Sequence, residues 1–109
     1  MLKIYMKSGD QRPVVEAAVV DGNGDPIDMT GASAKFSLWE LEATTPTIAD
    51  AAATIPNPTG GLVQYIWQSG DTDNDGLFVG EFKVIFADGT ELTVPSRGFI
   101  EIEIQKSLS

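Results

Sequence analysis

The 109-residue chain contains no cysteine and no histidine. Their absence removes thiol nucleophiles, disulfides, Ser-His and Cys-His dyads and the ordinary ligand sets of zinc. Positive charge is also scarce. Seven Lys and Arg stand against sixteen Asp and Glu, a net charge of −9. Such a chain repels a phosphate backbone, so nucleic acid is excluded as a natural partner. No run approaches the roughly 20 apolar residues of a membrane span, and Met1 to Lys7 alternates instead of opening a signal peptide. No membrane association and synthesis in the cytoplasm are therefore expected. The glycine pairs Gly60-Gly61 and Gly22-Asn23-Gly24 lack the lysine, serine and following helix of a phosphate loop.

What is present is an ordinary globular composition, 42% apolar and 21% charged, of a size for one domain over residues 1–109. The dominant hydrophobic period is two. Leu2, Ile4 and Met6 alternate with Lys3, Tyr5 and Lys7 as a first strand. Val14 to Val20 is apolar enough to be buried on both sides for part of its length. Asp21 to Pro26 is a turn cluster, and Ile27 to Gly31 a short irregular passage. Ala34, Phe36 and Leu38 alternate with Lys35, Ser37 and Trp39 as a third strand. Between the loops Ala43 to Pro46 and Pro56 to Gly61, the alanine-rich Thr47 to Ile55 is read as an edge strand, and Leu62 to Trp67 as another strand.

The last third is the clearest. Phe78, Gly80, Phe82, Val84 and Phe86 fall on one face, Leu77, Val79, Glu81, Lys83 and Ile85 on the other. Asp88-Gly89 marks a hairpin into Glu91 to Val94. Pro95 and Gly98 then suit a kink in one long edge strand that resumes through Phe99, Ile100, Ile102 and Ile104. About seven short antiparallel strands and no helix predict an immunoglobulin-like β-sandwich, with a small barrel as the alternative. Phe78 and Gly80 carry the spacing of the aromatic and core residue that open the sixth strand of such domains.

Chemistry has few places to reside. Asp71-Thr72-Asp73-Asn74-Asp75-Gly76 matches the first six positions of a calcium-binding EF-hand loop, so Asp71, Asp73 and Asp75 are candidate metal ligands. Position twelve should be glutamate but is Phe82. The same residues suit a turn whose aspartates bond nearby backbone N–H groups. A calcium site shared with Asp50 or Glu81 is the alternative. Glu101 and Glu103 lie on one strand face, and so do Glu40 and Glu42 if the strand reaches that far, but alternating glutamates beside an apolar face are ordinarily its solvated side. No catalytic or cofactor residue is expected, and the chain is not expected to be an enzyme. Trp39 and Trp67 are read as core, as interface anchors or as a sugar platform.

Five stretches combine into a more specific pattern. They are Lys7 to Pro13, Asp21 to Ala32, Gly61 to Trp67, Gly70 to Gly76 and Gly80 to Gly89. In order and spacing they resemble a family of small virion proteins of tailed bacteriophages, similar to the N-terminal immunoglobulin-like domain of phage baseplate upper proteins. The likeness spans about Ile4 to Ile104 and is weakest between Glu40 and Pro58. It implies a non-enzymatic virion part in the tail, baseplate, head–tail region or capsid surface, without cofactor, docking on other virion proteins or on copies of itself. The implied docking elements are Leu2 to Met6 and Val94 to Ile104, with Leu2, Ile4, Met6, Trp39, Trp67, Val94 and Phe99 as interface candidates. The rival expectation is a receptor- or glycan-binding module that uses the Asp71 to Asp75 loop, with or without calcium.

Overall fold

The computed structural model describes residues 3–96 and 98–108. The chain is an all-β immunoglobulin-like sandwich of eight strands: β1 Lys3–Lys7, β2 Val15–Ala18, β3 Ser33–Glu40, β4 Ile48–Asn57, β5 Leu62–Tyr65, β6 Gly76–Ile85, β7 Glu91–Val94 and β8 Ile100–Gln105. Their order is β1-β8-β6-β3-β4-β5-β2, with β7 also paired to β6. Among the described residues no helix is long and apolar enough to cross a membrane.

β6 is the spine. Its ten residues alternate buried and less buried, and one side of its backbone pairs β3 through Phe78–Ile85. Its other side pairs β8 through Gly76–Gly80 and β7 through Phe82–Ile85. The expected single terminal strand is therefore two pieces beside one neighbour, separated where Pro95 has no N–H to give to a ladder. The expectation that it forms an edge is corrected along β8. β1 pairs β8 in parallel, Lys3 opposite Glu101 through Lys7 opposite Gln105, so both backbone edges of β8 are used. The pairing is thus mixed, not wholly antiparallel.

β4 is also not an edge strand. It pairs β3 through Ile48–Ala53 and β5 through Thr54–Asn57, and so carries the chain from one sheet into the other. Both pairings include an extra residue on β4. Ser37 faces Ala49 and Asp50 between the Phe36–Ala51 and Leu38–Ile48 pairs, and Asp50 absorbs the bulge at φ 49°. Ile55 and Pro56 face Val63 in the second irregularity. Pairing on both sides overrides the helix preference of the alanines, whose small side chains leave little pattern to read. In β2, only Val15 of the four residues is fully buried, because it is the last strand of its sheet. The expected two-sided burial fails there: Glu16, Ala18 and Val20 are exposed.

The core centres on four aromatics. The Phe36 ring stacks on Tyr65 at 4.7 Å and packs against Phe82 at 5.0 Å, while Trp67 stands edge-on to Tyr65 at 5.6 Å. Phe78, Val84, Leu38 and Ile102 are buried around them, as the alternation requires. Met29, in the passage read as irregular, is also buried, with its N–H bonded to the Pro58 carbonyl. The β6–β7 hairpin closes over Ala87-Asp88-Gly89, with Gly89 at φ 89° and Asp88 Oδ1 accepting from the Thr90 N–H and hydroxyl. The Thr90 hydroxyl, then its N–H, holds the Asp88 carboxyl below its ordinary range.

Candidate docking surfaces

Asp71, the first proposed calcium ligand, serves the fold. Its Oδ2 accepts the Tyr65 hydroxyl at 2.6 Å and the Gln68 N–H at 2.8 Å. Thr72 is buried and gives its hydroxyl to the Asp10 carbonyl at 2.6 Å, while the Gly9 N–H bonds the Thr72 carbonyl. These bonds fasten the loop to the linker between β1 and β2. Asp73 and Asp75 are exposed, and among the described residues no three acidic side chains are grouped to hold a metal ion. Burial, then the Asp71 hydrogen bond and charge, raise the Tyr65 phenol well above its ordinary range.

The interface candidates divide by strand parity. Ile4, Met6 and Val94 point into the core. Trp67 does too: it is 2% exposed, and its Nε1 donates to the Pro13 carbonyl at 2.9 Å. It is neither an anchor nor half of a sugar platform with Trp39. Leu2 lies outside the described residues. Trp39 at 38% and Phe99 at 47% remain available.

Both belong to a larger feature on the outer face of the β1-β8-β6-β3 sheet. One row of Cα partners runs Tyr5, Glu103, Leu77, and the Leu41 N–H extends it by bonding the Leu77 carbonyl at 2.9 Å. The next row runs Lys3, Glu101, Val79, Trp39. Tyr5, Leu41, Leu77, Trp39 and Phe99 are all exposed. Contiguous apolar side chains on an outer sheet face are what association surfaces are made of. Glu101, Glu103 and Glu81 are interspersed among them. Lys3 is the cation on these rows, 3.8 Å from Glu103.

Trp39, Val79 and Phe99 line a groove of about 420 Å³ on this face, whose rim carries Glu42 and Glu81, while the Glu40 carboxylate turns away beside Gly76. Glu42 has φ 69°, an uncommon backbone state for a non-glycine residue. Tyr5, Leu41 and Leu77 escaped the site reading, although Leu77 and Val79 on the outward parity of β6 were its visible signal, and Glu42, weighed with Glu40 as a pair on one strand face, lies beyond the end of β3. A second groove of about 620 Å³ follows the seam between β2 and β7, lined by Ala17, Val19, Leu92, Val94, Pro95 and Ile100. β1 completes the inventory as an outer strand, paired on one side only among the described residues.

Comparison with protein-family models and with curated protein sequences finds no match. Among solved structures the chain is similar to CopC from Methylosinus trichosporium OB3b, with a TM-score of 0.52 over the whole of this chain and 89% of that one. The two are 12% identical, so the likeness concerns the fold alone. It places this chain among β-sandwich proteins.

Proposed function

We propose that this protein is a non-enzymatic structural module of a tailed-bacteriophage virion that docks on other virion proteins through the outer face of the β1-β8-β6-β3 sheet. One observation carries the docking: Tyr5, Leu41, Leu77, Trp39 and Phe99 stand exposed together on one sheet face while glutamates surround them. Interfaces draw their energy from such aromatic and aliphatic anchors, and a charged rim steers the encounter. The assignment to a virion rests on the five-stretch resemblance. The outer edge of β1, unpaired among the described residues, gives the same sheet a strand to which a partner strand can add.

The net charge of −9 makes a basic partner surface the natural complement and keeps the free subunit soluble. The glycan-binding alternative has less to work with, because Asp71 is engaged by Tyr65 and Gln68 and Trp67 is buried. The test is mass spectrometry of purified particles of the encoding phage, with isolated virion proteins then screened for binding in the absence of metal. Presence in particles and metal-independent binding support the reading. Absence from particles, with binding to host cells or sugars instead, would replace it.

A further inference from the structure

We infer that the Trp39–Phe99 groove receives an arginine side chain of the docking partner. The inference rests on the docking role proposed for this face and names the chemistry recognised there. Three features converge. The walls are apolar and aromatic, with Trp39 and Phe99 both lining the same space of about 420 Å³ as Val79. The rim is acidic, and among the described residues no hydrogen bond or ion pair engages the Glu42 or Glu81 carboxylate. Two negative groups not engaged by a cation of the chain, beside an aromatic wall, are complementary to a cation brought by something else.

The kind of cation follows from the geometry. These carboxylates are not gathered as a metal centre would need. They stand at the edge of an apolar space lined by Trp39, Val79 and Phe99. A guanidinium suits that arrangement better than an ammonium: it is planar, weakly hydrated and stacks on tryptophan, while its N–H fork reaches carboxylates at its edges. The aliphatic part of the same side chain covers Val79 and the ring faces. Glu81 stands on β6 opposite Ser37, between the Val79–Trp39 pair and the Lys83–Lys35 pair, so the sheet sets its backbone next to that of the tryptophan, while the neighbouring Lys83 is directed to Glu91 at 3.7 Å.

The test uses the full chain and does not need a virion. N-acetyl-arginine amide is titrated at low salt while the two indole N–H resonances are followed, with the neutral isostere N-acetyl-citrulline amide and N-acetyl-lysine amide as competitors in separate runs. Trp67, buried and bonded to Pro13, serves as the internal control of fold. The expected result is a saturable shift of the Trp39 signal alone, at least about tenfold tighter for arginine than for citrulline, since one charge-assisted contact is worth that much. E42Q and E81Q together should abolish the preference without moving the Trp67 signal. Equal binding of citrulline, lysine binding as tight as arginine, or a preference that survives E42Q/E81Q would overturn the assignment. A groove that prefers arginine in a protein absent from virions would retain the site and refute the virion role. A virion protein whose groove shows no preference would do the reverse.

Discussion

The Tyr65 hydroxyl donates to the Asp71 carboxylate at 2.6 Å, and this bond ties the end of β5 to the aspartate-rich loop that follows it. It also gives the loop a structural task, because the carboxylate that would begin a calcium site already accepts from two donors, Tyr65 and Gln68. Replacing Tyr65 by Phe should cost about 1–2 kcal/mol, the worth of a hydrogen bond to a charged acceptor reduced by the exposure of the loop. The pH dependence has a definite sign. Burial and Asp71 raise the phenol above its ordinary value of 10.0, so the folded state holds the proton more tightly than the unfolded chain. Its contribution is complete below pH 10.0 and is lost as pH rises beyond it. Denaturant titrations from pH 8 to 11 should show a steeper alkaline loss in the parent than in Y65F; equal slopes would count against the raised ionisation.

Calcium should not stabilise the protein appreciably. A structural site with a Kd near 10 μM at 1 mM free calcium would add about 2.7 kcal/mol, a melting shift of roughly 10–20 °C for a domain of this size. Thermal melts with calcium and with chelator should differ by far less, and D71N/D73N should leave that small difference unchanged. A large shift abolished by the double substitution would restore the loop as a metal site.

Core truncation tests the sandwich. Phe82 is fully buried and packs on Phe36, so Phe82→Ala should cost about 3–5 kcal/mol and leave little folded protein. Gly80→Ala should also be damaging, because a Cβ there would lie 2.9 Å from the Phe36 ring, with the Ser37 carbonyl 3.3 Å away. Urea midpoints measure both. Parent-like midpoints would mean that the β3–β6 packing is wrong.

Parity made the fold readable wherever strands bury one face. Phe78, Phe82 and Val84 against Leu77, Val79 and Lys83 gave β6, its core side and its hairpin without ambiguity. β4 was harder, since Ala49, Ala51, Ala52 and Ala53 differ too little in side chain to show a face, and its passage between sheets depends on two bulges that only pairing reveals. The parallel β1–β8 pair joins opposite ends of the chain, and no local signal encodes such a contact. The exposed apolar face was half legible. Outward apolar residues on β6 announced it, but Trp39 and Trp67 look alike in sequence. What separates them is position: Trp39 faces outward from β3, while Trp67, just past β5, turns inward to the Pro13 carbonyl.

Association should also respond to salt. Opposite charges speed encounter only within a screening length of about 10 Å at 0.1 M salt, so the on-rate for a basic virion partner should fall as salt rises. Stopped-flow binding at several salt concentrations reads this directly. An on-rate indifferent to salt would point to a neutral partner surface.

The most direct measurement is virion occupancy of a face variant. Trp39→Ala with Leu77→Ala removes two exposed anchors from the outer sheet face and leaves the aromatic core untouched. Each anchor in such an interface is commonly worth about 2 kcal/mol, so the pair should weaken docking by roughly a thousandfold. With folding verified by an unchanged Trp67 resonance, quantitative mass spectrometry of purified particles should find the parent protein at full occupancy and the double variant nearly absent. Incorporation of the folded variant at parental level would contradict docking through this face.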